Sequence, residues 1–186
     1  MIAIIDNYDS FTYNLVHYID QFSDGCKVFR NDEVKLSELD KFNKIVISPG
    51  PGMPDEVPIL SQIIENYAAT KPILGVCLGM QAIAEFYGSE LTNLSKVLHG
   101  VKLKCDFNND DRLFKDVKAP FEVGHYHSWI VKNGTLPPEI EVIAWGPNET
   151  IMAIKHKEYP LYGVQFHPES VLTSQGNKLI ENWCRM

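Results

Sequence analysis

The chain has 186 residues, 45% of them hydrophobic and 22% charged, with a formal net charge of −7. That composition suits one soluble globular domain over residues 1–186, and an acidic balance with no block of lysine or arginine argues against a nucleic-acid or anionic-membrane surface. No apolar stretch nears the roughly 20 residues of a membrane span, and four scattered cysteines without a Cys-x-x-Cys pair point away from a disulfide scaffold or zinc site and toward a reducing cytoplasm.

The first ten residues, "MIAIIDNYDS", have no basic region and meet an aspartate at position 6, so they read as a first buried strand (2–6) and not as a signal peptide. Phe11, Leu15, Tyr18, Ile19 and Phe22 fall on one helical stripe, with Asp9 or Ser10 as its cap. "CKVFR" (26–30) is a second strand, "LSELDKF" a short helix, and "KIVIS" (44–48) a third strand that stops at "PGPGMP". Leu60, Ile63, Ile64 and Tyr67 mark the next helix. "PILGVC" (72–77) is a fourth strand, followed at once by a helix over 78–87.

This β-α alternation predicts an α/β fold with a doubly wound, mostly parallel central sheet and helices on both faces. The second half changes character. "VKLKCDF", "FEVGHYH", "EVIAWG", "IMAIKH" and "LYGVQF" are strand-like runs separated by turn signals, some of which pair antiparallel, and "GNKLIENWCR" closes the chain as a helix. No internal repeat, low-complexity tract or linker breaks it up.

Ligands of open parallel sheets bind beyond the carboxyl ends of the strands. Three loops there carry chemistry. In "GVCLGMQ", Cys77 stands between Gly75 and Gly79, a G-x-C-x-G pattern that matches a nucleophile elbow with sulfur in place of a serine oxygen. A sharp strand-to-helix turn presents such a nucleophile at a helix N-terminus, where free N–H groups and the dipole favour thiolate. The bland alternative is a small buried hydrophobe. In "GVQFHPES", Pro168 stops the strand right after His167, and Glu169 stands two residues on, on the same side of an extended chain. Glu169 can therefore fix the ring of His167 as a base; the alternative is a strand-end histidine beside a solvent carboxylate. In "SPGPGMP", Gly50 and Gly52 offer backbone N–H groups which, with that of Leu78, would form an oxyanion hole; an ordinary stiff turn is the alternative.

A G-x-C-x-G elbow followed by glutamine, with a later H-P-E, resembles the class I, or triad-type, glutamine amidotransferases. "DNYDSFTYNLV", "SPGPGMPDE", "GVCLGMQAIA", "YHSW" and "GVQFHPES" are similar in particular to the small amidotransferase subunits (component II) of anthranilate synthase and aminodeoxychorismate synthase. These motifs run from residue 6 to residue 170. The resemblance implies a flavodoxin-like core and a glutaminase. Cys77 would attack the glutamine amide, His167 would move protons, and Glu169 would orient His167. Gly50, Pro51 and Gly52, with Leu78, would line the glutamine and oxyanion site. Gln81 would bind the amino-acid end of L-glutamine, and Ser128 with the backbone of Trp129 its α-carboxylate. Ammonia would pass to a chorismate-binding large subunit (component I). The resemblance implies no cofactor and no metal in this chain.

Met80, Trp129 and Val101 depart from the commonest pattern of those subunits. His125 and His127 form an H-x-H pair that could ligate a metal from one strand face, but no third ligand has suitable spacing. His17 lies on the first helix, His99 and His156 read as surface or structural residues, and Cys26, Cys105 and Cys184 as packed ones. Two other readings stay open: a stand-alone cysteine hydrolase of γ-glutamyl substrates, and a catalytically silent partner-binding subunit.

Overall fold

A computed structural model describes residues 1–94 and 100–186; His99 lies outside them. The first half alternates strand and helix: β1 (Ile2–Asp6), α1 (Thr12–Asp20), β2 (Cys26–Arg30), α2 (Leu36–Leu39), β3 (Lys44–Ile47), α3 (Pro58–Tyr67), β4 (Ile73–Val76) and α4 (Leu78–Phe86). The second half adds β5 (Leu91–Asn93), β6 (Val101–Phe107), β7 (Phe121–His125), β8 (Trp129–Val131), β9 (Ile140–Trp145), β10 (Ile151–His156), β11 (Leu161–Val164) and α5 (Gly176–Cys184).

Among the described residues, nine strands form one sheet in the order β2-β1-β3-β4-β11-β10-β9-β6-β7. The first five run parallel, with β4 pairing both β3 and β11. From β11 outward the pairing is antiparallel. The fold class expected from the sequence is the one observed.

Alternation along the central strands explains why both faces are covered. Ala3, Ile5, Ile45 and Ile47 pack with α3 and α4 through Leu60, Ile63, Ile64 and Ile83. Ile2, Ile4, Val46, Leu74 and Val76 pack on the other face with Leu15 and Ile19 of α1 and Leu179, Ile180 and Trp183 of α5. Burying a side chain of this size contributes roughly 1.5–3 kcal/mol, so the two faces together hold the parallel strands in register. No described helix is long and apolar enough to cross a membrane.

Two expectations change. Helix α1 has Phe11 at its N-cap position, with no side-chain cap. Asp9 instead accepts the Phe11 N–H at 2.7 Å, and Asp6 Oδ1 accepts from the Tyr8 N–H at 3.0 Å and the Thr12 hydroxyl at 2.8 Å. The carboxylates thus close the loop before the helix and do not cap the helix itself. Second, β5 and β8 form a separate two-stranded sheet that hydropathy did not reveal.

Candidate active site

The carboxyl ends of β1, β3, β4 and β11 share one edge of the sheet, because those strands are parallel and adjacent. Each strand delivers one loop there. The β1 and β3 loops are stitched together: the Asn7 N–H donates to Ser48 Oγ at 2.9 Å, and Asn7 Nδ2 donates to the Ser48 carbonyl at 2.9 Å.

Cys77 continues β4 by one residue, its N–H donating to the Val164 carbonyl at 2.8 Å. It then turns sharply, with φ 53° and ψ −102°, and becomes the N-cap of α4. A non-glycine residue with positive φ is rare and costs about 1–3 kcal/mol. Both flanking glycines are required by close approach. A Cβ on Gly75 would fall against the Gly79 carbonyl, because α4 lies directly on β4. A Cβ on Gly79 would stand 2.5 Å from the Ile47 carbonyl oxygen of β3. The elbow is thus wedged between two strands. The Leu78 N–H, at the first position of α4, has no acceptor within the helix.

His167 lies shortly beyond the end of β11. Its Nδ1 is 2.7 Å from Glu169 Oε1, and both side chains are buried. Its Nε2 is buried and makes no hydrogen bond among the described residues, and the ring lines the same cleft as Cys77. Burial alone would lower the imidazole pKa; the neighbouring Cys77 and Glu169 outweigh it and raise the ring to about 10. The other thiols are pushed up chiefly by burial, Cys26 and Cys105 to about 12 and Cys184 to about 11.

A cleft of about 330 Å³ opens beside these groups, lined in part by Gly50, Gly52, Cys77, Gln81, Ser128 and His167. Pro51 and Trp129 also line it. A wider cleft of about 710 Å³ near Trp145 contains none of these groups. Gly50 is forced: a Cβ there would stand 2.5 Å from Asn7 Cβ and 2.9 Å from Leu78 Cδ2. Gly52 has φ 79°, in the left-handed region that favours glycine. Gln81 is buried, and its Nε2 donates to the Trp129 carbonyl at 2.8 Å. Of the sequence-derived residues, all but Leu78 and Glu169 line this cleft; Leu78 lies behind Gly50 and Glu169 is bonded to His167.

Several neighbours escaped sequence reasoning. The rings of Phe11 and Tyr126 pack edge-on against His167, at centroid distances of 6.0 and 4.9 Å. The Tyr126 hydroxyl shares a 2.7 Å hydrogen bond with Ser170 Oγ. His125 and His127 stack on each other at 3.9 Å, and His125 Nε2 donates to the His127 carbonyl at 2.8 Å. Burial first, then repulsion from His125 and His167, holds His127 well below the ordinary histidine range. No group of three His, Cys, Asp or Glu side chains among the described residues could hold a metal ion. His156 Nδ1 accepts two backbone N–H groups at 3.0 Å, a structural role.

Comparison with known proteins decides the family. The class I glutamine amidotransferase family model matches residues 3–186. The chain belongs to the class I glutamine amidotransferases. It is 45% identical to aminodeoxychorismate synthase component 2 of Escherichia coli, over 98% of each chain. It is 42% identical to aminodeoxychorismate/anthranilate synthase component 2 of Bacillus subtilis, over 98% of this chain and 95% of that one. It is 43% identical to the bifunctional protein TrpGD of Thermotoga maritima, where it covers 98% of itself but spans only 31% of that longer protein. The crystal structure of a Thermoplasma acidophilum protein, described as one of the subunits of a GMP synthase, superposes with a TM-score of 0.88 at 26% identity, over 99% of this chain and 92% of that one.

Proposed function

We propose that this chain acts as one glutamine amidotransferase domain, the glutaminase component of a synthase that aminates chorismate. The observation that carries the reading is the row Cys77–His167–Glu169 on one sheet edge, beside the "PGPG" turn and a glutamine-sized cleft. The pathway rests on the similarity to component 2 of the two chorismate-using synthases.

In this reading the Cys77 thiolate attacks the side-chain amide carbon of glutamine. The tetrahedral oxyanion is held by the Leu78 N–H and an amide of the Gly50–Gly52 turn, a contribution of roughly 3 kcal/mol per donor. His167 gives its proton to the leaving nitrogen, and ammonia departs. The C–N bond has broken and a γ-glutamyl thioester remains. His167, now neutral, takes a proton from water, whose oxygen attacks the thioester; glutamate leaves and the thiolate returns. Gln81, Ser128 and the Trp129 backbone hold the amino-acid end of glutamine. Ammonia passes to the chorismate-binding component I. All four cysteines are free thiols, and a reducing cytoplasm would keep Cys77 so.

The test is reconstitution. The purified chain is mixed with candidate component I proteins, glutamine and chorismate, and the product is identified. Formation of anthranilate or aminodeoxychorismate from glutamine supports the reading. Glutamate release that no chorismate-binding partner exploits or stimulates would favour a stand-alone hydrolase.

A further inference from the structure

The ring of His167 lines the same cleft as Cys77, while its main chain is held by a side-chain hydroxyl as well as by a strand. The His167 N–H donates to the Gly124 carbonyl of β7 at 3.2 Å. Two residues on paired antiparallel strands would complete this with the reciprocal bond, Gly124 N–H to the His167 carbonyl. That bond is replaced. The Gly124 N–H donates to Thr173 Oγ1 at 2.9 Å, and the same hydroxyl donates to the His167 carbonyl at 2.6 Å. Three hydrogen bonds close a ring through Gly124, Thr173 and His167. Every donor in it has an acceptor, and Thr173 is buried.

We propose that Thr173 is a positioning residue for His167, its hydroxyl inserted between the base and β7 so that the ring is presented to Cys77. The proposal rests on the glutaminase reading above. Local geometry suits the role. The Ser170 N–H donates to the His167 carbonyl at 3.2 Å, and the Thr173 N–H to the Ser170 carbonyl at 2.9 Å, so residues 167–173 form two successive turns returning to His167. Beside them, Ser170 Oγ meets the Tyr126 hydroxyl, whose ring lies against His167. A Cβ on Gly124 would stand 3.0 Å from Ser170 Oγ, so β7 lies close against this turn. Without the hydroxyl, the Gly124 N–H is left buried and unpaired, and the base is free to slide toward the direct pair. A shift on the order of 1 Å at a reacting group can cost about a hundredfold in rate.

The experiment compares Thr173→Val, Thr173→Ala and Thr173→Ser, each assayed for glutamate release in complex with the chorismate-binding partner. The first two remove the hydroxyl; the third keeps it. The expected result is a kcat lower by about tenfold to a hundredfold in Val and Ala, with KM for glutamine nearly unchanged, and recovery to within about threefold of wild type in Ser. The His167 imidazole N–H resonance of the isolated chain gives a readout that needs no turnover. It should shift in Val and Ala and stay at the wild-type position in Ser. If Val fails to fold, the Ala and Ser pair decides. An unshifted resonance with wild-type kcat in Val or Ala overturns the proposal, as does a Ser variant as impaired as Ala. Loss of the glutaminase reading itself would show differently, as wild type that releases no glutamate while the resonance pattern persists.

Discussion

His167 Nδ1 and Glu169 Oε1 lie 2.7 Å apart, both side chains buried, two residues apart in sequence with Pro168 between them. The carboxylate accepts a hydrogen bond from Nδ1–H, which leaves Nε2 as the ring nitrogen free to act on a substrate. In the proposed mechanism Glu169 orients, while His167 moves the protons in both halves of the reaction. General acid–base help is worth about 10²–10⁴-fold. His167→Ala should lose at least about 10²-fold in glutamate release, and Glu169→Gln, which keeps an acceptor oxygen but no charge, should lose less. Equal or reversed losses in variants with native melting curves would contradict this division of labour.

The proton on His167 depends on its neighbours. Burial pulls the imidazole down; Cys77 and then Glu169 more than offset it, and the ring reaches about 10 against an ordinary 6.5. A raised folded-state value contributes stability that is complete below about pH 6.5 and is lost as pH climbs toward about 10. Cys77→Ala removes the sulfur's share, so the His167 titration midpoint, followed by ring proton NMR, should fall. A midpoint unchanged in Cys77→Ala would show that the sulfur is not coupled to the base.

The glycines around Cys77 make a steric prediction. Gly79→Ala places a methyl 2.5 Å from a strand carbonyl, and Gly75→Ala drives one into the α4 backbone. Neither neighbour is a flexible side-chain end. Overpacking of this kind costs typically 1–3 kcal/mol, which for a chain of this size lowers Tm by roughly 2–4 °C per kcal/mol. Wild-type melting of both variants would mean that the elbow is looser than described.

The parallel half of the fold was legible because its strands are short apolar runs bounded by glycine, proline and aspartate, and its helices carry clear stripes. Cys77, His167 and Glu169 can be singled out for a related reason: glycines flank the first and a proline separates the other two, local signals that mark strand ends. What was hidden depends on distant partners. β5 and β8 are three-residue strands without full burial, so no periodicity marks them. Phe11 and Tyr126 look like ordinary core aromatics until both are seen against His167. Thr173 carries no motif of its own; its role exists only because Gly124, 49 residues earlier, comes to rest beside it. The α1 cap was misplaced because Asp6 and Asp9 satisfy the preceding loop, a competition that composition does not resolve.

The cleft is rimmed by two loops. Asp9–Phe11 and Pro49–Gly52 both line it, and Phe11 touches the base. Rotating one peptide of the "PGPG" turn would remove an oxyanion donor, a loss of about 10²–10³ in kcat. A partner that binds the competent arrangement better would restore it. Glutamate release should therefore rise by at least about tenfold when component I is added, within the usual range of coupling energies of about 1–3 kcal/mol. Full turnover by the isolated chain would remove this gating from the account.

The most direct test of the central claim is chemical labelling of the intact chain with a glutamine-mimicking electrophile such as a diazo-ketone, read by peptide mass spectrometry and paired with Cys77→Ser in the reconstituted synthase. The account predicts one label per chain, on Cys77, with Cys26, Cys105 and Cys184 unmodified. It also predicts that Cys77→Ser abolishes glutamine-dependent synthesis while synthesis from added ammonia persists. Labelling at one of the other three thiols with Cys77 untouched, or glutamine-dependent synthesis by Cys77→Ser, would contradict it.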